Sequence, residues 1–381
     1  TALGAFSLDA NTTAGETTAV GYGALGTNTT GAENTAVGGS ALTYNTTGAY
    51  NVAVGKGAMT NNTTAANNTA VGYSALVANT TGYQNTALGQ NALDSNTTAN
   101  HNTAIGATTL AANTTGYANT AVGYNALCTH TTGNSNTAVG DNAMRLTTTG
   151  TFNVAVGDNA LCANTTASEN IAIGRNTLFA NTTGANNTAV GSQALTTNTT
   201  GDSHTAVGFN ALLANTTGLC NTAVGAYSLD ANTTGCCNTA VGLGSLGSNT
   251  TAINNTGIGS CSLKSNTTGA GNTAVGTDSL HANTTASENT AVGIFALNKV
   301  TTAHSNVAVG YKALMSSTEG YYNVGIGKNA LVNVTTGDNN IGLGRSSGAD
   351  AVRNITSGDN EIVIGNTSHG SAFIKIDWTV T

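Results

Sequence analysis

The sequence predicts an all-β fold, a parallel β-solenoid built from a 17-residue repeat, and two observations carry this prediction. A segment of the type Asn-Thr-Ala-Val-Gly returns at multiples of 17 residues between Asn34 and Asn340, and its last residue is Gly in all 21 copies from Gly4 to Gly344. The chain also contains 49 Gly, no Pro and only 7% charged residues. This composition favours order held by backbone hydrogen bonds, and repeats without insertions favour coils stacked in register.

Each part of the repeat has an expected conformation when the first Asn is numbered position 1. The consensus is N-T-A-V-G-x-x-A-L-x-x-N-T-T-G-x-x, and a unit this short cannot hold two helices. Positions 1–4 are expected to form a strand, positions 7–10 a second strand, and positions 12–15 the return turn. Gly at position 5 is expected at a corner that needs a positive φ or close packing. These corner glycines include Gly21, Gly38, Gly55, Gly72, Gly89, Gly106, Gly123 and Gly140.

The apolar pattern predicts self-association. Positions 3 and 4 are adjacent and both apolar, and neighbouring residues of a strand point to opposite sides. One column should therefore fill the interior of the coil, while the other faces a second apolar environment. A partner chain is the simplest such environment, so the thin coil is expected to need a second copy of itself.

Parts of the repeat resemble two families of fibrous proteins. The segments Thr103-Ala104-Ile105-Gly106 and Asn170-Ile171-Ala172-Ile173-Gly174 resemble the head repeats of trimeric autotransporter adhesins. The whole unit from Asn68 to Gln84 resembles repeats of bacteriophage tail fibres, and this resemblance covers residues 1 to about 344. The resemblance to the adhesin heads implies a left-handed parallel β-roll in which three chains pack around an axis.

Two regions are expected along the chain. Residues 1–344 form the repetitive solenoid shaft, and residues 345–381 form a C-terminal capping segment with bulkier apolar residues at 359–365 and 371–381. In similar phage fibres such a segment leads into an intramolecular chaperone that cuts itself off, so the resemblance implies that this chain ends near such a cut. Because the chain begins with Thr1, it is expected to be processed or to belong to a longer protein.

Composition argues against several functions. The 10 Lys and Arg form no cluster, which disfavours binding to nucleic acids. No apolar run reaches the ~20 residues of a membrane span. His, Cys and carboxylate residues show no metal-ligand or acid/base spacing. The chain is therefore expected to be no enzyme, to hold no metal or cofactor, and not to insert into membranes.

The cysteines are expected to be free thiols. Cys220 and Cys237 share position 17 in adjacent coils, within the ~4.4–6.8 Å Cα range of disulfides. Stacked parallel side chains rarely reach the required dihedral angle, however. Cys128 and Cys162 lie two coils apart, about 9.6 Å, and are too distant to pair within one chain.

The Asn-Thr-Thr triplets at positions 12–14 allow two interpretations. Each triplet is formally a glycosylation sequon. The favoured interpretation is a ladder of stacked Asn side chains that bond along the axis. The ladder set includes Asn28, Asn45, Asn62, Asn79, Asn96 and Asn113.

Tyrosines are the candidates for surface binding, because exposed rings can stack on glycans. The favoured interpretation is nevertheless a structural one, in which the rings cover coil edges. All 11 occupy variable positions of the repeat. Those at position 6 are Tyr22, Tyr73, Tyr124 and Tyr311.

The sequence favours a structural fibre that works as a homotrimer on a virion or another extracellular surface. The leading hypothesis is a phage tail fibre or similar virion-associated fibre that displays a host-attachment surface, with a host glycan or other receptor as partner. The alternative is a bacterial surface adhesin or secreted fibre of the same fold. An ice-binding solenoid is less favoured, because the paired Thr46 and Thr47 are adjacent and lie in a turn.

Overall fold

The structure, a computed structural model, describes residues 1–351 and 353–368. The chain divides into two compact units, Thr1–Thr217 and Gly218–Thr381. The strands of the first unit are β1 (Ala2–Leu3), β2 (Thr18–Val20), β3 (Thr35–Val37), β4 (Val52–Val54), β5 (Thr69–Val71), β6 (Thr86–Leu88), β7 (Thr103–Ile105), β8 (Thr120–Val122), β9 (Thr137–Val139), β10 (Val154–Val156), β11 (Ile171–Ile173), β12 (Thr188–Val190) and β13 (Thr205–Val207). Those of the second unit are β14 (Thr222–Val224), β15 (Thr239–Val241), β16 (Thr256–Ile258), β17 (Thr273–Val275), β18 (Thr290–Val292), β19 (Val307–Val309), β20 (Val324–Ile326), β21 (Ile341–Leu343) and β22 (Ile362–Ile364).

Within each unit, every strand pairs in parallel with the strand that follows it in the chain. Between β3 and β4, for example, Ala36 is opposite Ala53 and Val37 is opposite Val54, so each residue faces its equivalent in the next repeat. The described part of the chain contains no helix. The predicted parallel β-solenoid, in which each repeat forms one coil, is therefore confirmed.

The interior of the coil is narrow and filled by small side chains and one Leu. Ala at position 3, Ala at position 8 and Leu at position 9 are fully buried, as in Ala36, Ala41 and Leu42. Where position 8 carries the larger Ser245, position 3 of the coil stacked on it is Gly257, and a Cβ there would lie 2.6 Å from Ser245 Oγ. In this coil the Ser245 hydroxyl therefore occupies the space that a Cβ at position 3 would need.

The predicted second strand at positions 7–10 is wrong. This segment is a chain of turns, and the residues at positions 7 and 9 have a positive φ, 59° at Ser40 and 51° at Leu42. A strand would point positions 8 and 9 to opposite sides, yet Ala41 and Leu42 are both fully buried. The left-handed residues let consecutive apolar side chains enter the same interior.

Hydrogen bonds between coils hold this strained segment in place. Ser40 N–H donates to the Tyr22 carbonyl of the preceding coil, and Leu42 N–H donates to the Ala58 carbonyl of the following coil, at 2.9 and 3.0 Å. A left-handed conformation costs a residue such as Leu roughly 1–2 kcal/mol. Bonds to both neighbouring coils and complete burial of the side chain offset that cost.

The last described coil is four residues longer than the others. Strand β22 still pairs in parallel with β21, with Ile341 opposite Ile362, and an antiparallel bridge joins Ala349 to Asn354. The segment 359–365, in which the sequence shows bulkier core residues, thus supplies one more strand. Residues 369–381, which contain the rest of the expected capping segment, lie outside the described part of the chain.

The corner glycine gives the sharpest test of this fold. A Cβ on Gly38 would lie 2.5 Å from the Gly55 carbonyl oxygen of the next coil, and its φ is +133°, whereas a Cβ on the neighbouring Gly39 meets nothing within 4 Å. We expect Gly38→Ala to lower the local free energy of unfolding by at least about 2 kcal/mol. Gly39→Ala should change it by less than about 0.5 kcal/mol. Native-state hydrogen exchange of the flanking coils measures both, and equal effects would contradict the close approach.

Candidate functional site

An outward-facing ribbon of side chains follows the strands of each unit. We call this ribbon, the side chains at positions 2 and 4, the outer strand face. In strand β4, Ala53 is fully buried while Val52 and Val54 point away from the interior. The column at position 4 is apolar throughout and reaches exposed fractions of 46% at Leu88 and 40% at Ile173.

The outer strand face is contiguous within each unit because the strands pair in register. Val54 is followed by Val71, Leu88 and Ile105 in successive coils. A soluble protein that stands alone rarely exposes an apolar patch of more than a few hundred Å², and larger patches mark interaction surfaces. The expected division of positions 3 and 4 between interior and exterior is what the structure has.

The asparagines at position 12 form a buried ladder. Asn28, Asn45, Asn62, Asn79, Asn96 and Asn113 are all fully buried. From Asn45 onward, each Nδ2 in this set donates to the Oδ1 of the Asn one coil earlier, at 2.7–3.0 Å. The same Nδ2 donates to the carbonyl at position 15 of its own coil.

The ladder also explains the sequon pattern. Glycosyl transfer needs the amide nitrogen of Asn to be accessible, and in Asn45 this atom is buried and donates two hydrogen bonds. The Asn-Thr-Thr triplets recur because each coil needs one Asn in the ladder. From Asn28 to Asn283 the Asn of each triplet is fully buried and offers no accessible acceptor, whereas Asn11 of the first triplet is exposed.

A second Asn ladder, which sequence reasoning missed, runs along position 1. Asn51 Oδ1 accepts from the Asn68 backbone N–H at 3.0 Å, and Asn51 Nδ2 donates to the Ala65 carbonyl at 2.9 Å. These two asparagines are fully buried. The signal was available, because every residue at position 1 from Asn34 to Asn340 is Asn except His204.

Substitutions in the position-12 ladder leave buried polar atoms without partners. Where His130 replaces Asn, the Oδ1 of Asn113 in the preceding coil and the His130 Nδ1 both lack a hydrogen-bond partner, and Asn283 Oδ1 lacks one where Val300 follows. His130 Nε2 donates to the Gly133 carbonyl at 2.7 Å. Burial lowers the pKa of His130 below its ordinary value of 6.5, opposed by that hydrogen bond.

The structure does not bring the four candidate tyrosines together. Tyr22, Tyr73 and Tyr124 are exposed by 64, 54 and 58% and follow one another at intervals of three coils in the first unit. Tyr311 lies in the second unit, where Lys312 and Lys328 place their Nζ atoms 5.2 and 5.7 Å from its ring centroid. The rings are separate surface features, not the walls of one pocket.

The described residues offer few other reactive or metal-binding groups. Their six cysteines are free thiols, and Cys220 and Cys237 are exposed. No group of three or more His, Cys, Asp or Glu side chains in residues 1–351 and 353–368 could hold a metal ion. In the same residues, no helix is long and apolar enough to cross a membrane.

No family model matches the chain, and no curated protein matches it.

The buried ladder can be tested with two neighbouring asparagines. Asn62→Asp removes the donor to Asn45 Oδ1 and to the Ala65 carbonyl and puts acceptors or a buried charge in its place. We expect a loss of at least about 3 kcal/mol in local stability. The control Asn61→Asp changes an exposed side chain at position 11 and should be neutral. Hydrogen exchange of coils 51–84 measures both, and a neutral Asn62→Asp would rule out the ladder as a stabilising element.

His130 predicts a pH dependence of stability. The pKa of His130 is lowered in the folded chain, so below about pH 6.5 the unfolded chain binds more protons than the folded chain. The free energy of unfolding therefore decreases as the pH is lowered through this range. His130→Asn supplies the missing donor to Asn113 and should raise the thermal midpoint. It should also reduce the loss of stability between about pH 7.5 and pH 5.5.

The control for this variant is His101→Asn, which replaces an exposed His at position 17. It should keep the wild-type pH dependence. If His130→Asn and His101→Asn behave alike in thermal unfolding at both pH values, the buried imidazole is not the source of the effect.

Proposed function

We propose that this chain is a non-enzymatic structural fibre protein whose working unit is a homotrimer joined along the outer strand face. The observation that carries the proposal is the apolar column at position 4, repeated in every coil and directed away from the coil interior. Residues such as Leu88 and Ile173 have no interior to enter, since Ala at position 3 already fills it. A second copy of the same column is the partner whose repeat matches in period and direction.

Parallel association is the form that the fibre resemblance favours. Two copies with the same period keep their position-4 columns in register along the whole face, and in the fibres that this chain resembles the coils advance together. A closed ring of parallel chains buries all of its columns at the centre, and cyclic symmetry leaves none exposed. The number three is supported by the resemblance to phage fibres and adhesin heads.

The biological role is a stiff fibre that carries or displays a host-attachment surface outside the cell. A phage tail fibre or similar virion-associated fibre is the leading form, and a bacterial surface adhesin or secreted fibre is the alternative. Neighbouring genes for tail and baseplate proteins support the first. A membrane-anchoring β-barrel domain in the same reading frame supports the second.

An ice-binding role has one structural feature in its favour. Thr at position 2 and Val at position 4 lie on the same face, two residues apart, as in Thr69 and Val71. The face is too irregular to match a lattice, however, because position 4 varies among Val, Leu and Ile. Position 2 carries apolar residues at Val52, Val154, Ile171, Val307, Val324 and Ile341. A measurement of thermal hysteresis separates the two roles.

Replacing two stacked valines tests the association. Val122 and Val139 are neighbours on the outer strand face, and Val122→Asp with Val139→Asp would place carboxylates of several chains close together without partners. We expect wild-type protein at about 112 kDa (3 × 37.5 kDa) and the double variant at 37.5 kDa by light scattering. Because both side chains point outward, the variant monomer should keep its β-structure.

The matched control places the same charges on another face of the same coils. Thr132 and Thr149 are exposed at position 14, so Thr132→Asp with Thr149→Asp should leave the trimer intact. A folded wild-type monomer, or a double Val variant that stays at the trimer mass, would defeat the proposal.

A further inference from the structure

A cavity of about 430 Å³ opens on the surface of the second unit, on the side formed by positions 6–11. It exists because coil 238–254 carries Gly244 at position 7 and Gly247 at position 10, so that no side chain fills the gap between the coils on either side. A Cβ on Gly244 would meet nothing within 4 Å. We call this cavity the notch.

The walls of the notch combine an apolar surface with hydrogen-bonding groups of opposite charge. Tyr227 and Asp230 come from the preceding coil, Leu243 and Ser248 from the notch coil, and Lys264 from the following coil. Tyr227 and Leu243 are exposed by 42 and 55%. The volume lies within the ~300–1,000 Å³ of small-molecule sites.

The two charges narrow the class of ligand. Asp230 and Lys264 share position 10 two coils apart, so their Cα atoms are roughly 9.6 Å apart by the strand spacing. The negative charge of one and the positive charge of the other balance across the notch. Burial raises the pKa of Asp230, opposed by backbone hydrogen bonds, so the carboxylate is poorly hydrated and favours a ligand that donates hydrogen bonds. A lining with a carboxylate acceptor, an ammonium donor and a hydroxyl suits a neutral ligand with several hydroxyl groups.

We infer that the notch binds a neutral pyranose, as a monosaccharide or the end of a glycan. The apolar face of the sugar would lie against Tyr227 and Leu243, and its hydroxyl groups would donate to Asp230 and accept from Lys264. This inference rests on the proposed attachment role for its biological sense. The notch lies on positions 6–11, apart from the outer strand face, so the two sites can be tested separately.

An internal duplication shows that the notch residues recur as a set. The segment Phe6-Ser7-Leu8-Asp9 and the pair Gly23 and Gly26 reappear thirteen repeats later as Tyr227-Ser228-Leu229-Asp230 with Gly244 and Gly247. Only these two coils have Gly at both position 7 and position 10. Asp at position 10 thus precedes the Gly pair in both copies.

The first copy lacks the cation of the second. Thr43 stands at the place of Lys264, and its Oγ1 donates to the Gly23 carbonyl at 3.1 Å. The aromatic residue of that copy, Phe6, is in edge contact with Tyr22 at 5.5 Å between ring centroids. The combination of a ring, a carboxylate and an ammonium around the Gly pair therefore occurs in the second unit.

The test uses the full chain and small sugars as probes. Saturation-transfer NMR and calorimetry are run with the methyl pyranosides of glucose, galactose and mannose, and with N-acetylglucosamine. Glucosamine and N-acetylneuraminic acid serve as charged comparators. We expect at least one neutral sugar to bind with a Kd on the order of 1 mM and to be favoured over both charged sugars.

Gly244→Asn fills the notch without straining the backbone. Gly244 has φ +60°, and Asn already occupies position 7 with φ of 54° at Asn91 and Asn125. This variant and Asp230→Asn should each weaken binding more than about tenfold. The control Asp94→Asn changes another half-buried Asp at position 10, which belongs to the first unit and does not line the notch, and should bind like wild type.

Each outcome decides one of the two proposals. Failure of every neutral sugar to bind at about 10 mM, wild-type affinity in Gly244→Asn, or tighter binding of a charged sugar would overturn the notch proposal, whatever the mass of the protein. Sugar binding by a wild-type monomer would support the notch and defeat the trimer. Sugar binding by the Val122→Asp, Val139→Asp monomer would show that the notch is complete within one chain.

Discussion

Axial hydrogen bonding between equivalent residues of neighbouring coils is the interaction on which the structure depends. The backbone at strand positions, the turn carbonyls and the Asn amides all bond to a residue one coil away, as in Thr46 N–H to the Thr63 carbonyl at 2.8 Å. A coil with one residue more or fewer would misalign all of these bonds together. The unbroken period of the repeat follows from that requirement. The last described coil is four residues longer and contains the Ala349–Asn354 bridge, and β22 still pairs with β21.

The sequence alone predicts the fold because the constant period of 17 residues fixes which residues of neighbouring coils pair with each other. Gly at position 5 shows the close approach of coils without any coordinates, and the Asn triplets show a column that stacks. The sequence predicts a strand at positions 7–10 because Ala and Leu are compatible with a strand by propensity, and the structure has turns there instead. The adjacency of Ala and Leu indicates the turn conformation, since two neighbouring apolar residues that both face the interior need a left-handed residue such as Leu42 at φ 51°. Intrinsic preference disfavours that conformation, and only the ladder around it enforces it.

Some features of the candidate sites could also be predicted from the sequence, and others could not. The position-12 ladder could be predicted because it recurs. The missing hydrogen bond to Asn113 Oδ1 could not, because it arises at the single coil where His130 replaces Asn and depends on how the imidazole is oriented there. The position-1 ladder was concealed by its strand context, because an Asn before Thr-Ala-Val resembles a strand residue. Its two roles, accepting from a backbone N–H and donating to a turn carbonyl, are set by the path of the coil.

Function in such a chain belongs to the positions that the ladder leaves free. Positions 1, 3, 8, 9 and 12 are buried and Gly at position 5 is fixed by the close approach of the next coil. Selection for binding can therefore act on outward positions, which are apolar in every coil at position 4 and varied at 6, 7, 10 and 11. An apolar column that recurs in every coil suits a partner with the same period, such as the second copy of the chain proposed above. A local departure from the repeat, such as Gly244 with Gly247 between Asp230 and Lys264, suits a ligand small enough to occupy one coil. The same repeat can therefore supply a long interface for assembly and single-coil sites for recognition, because each uses side chains that the other does not.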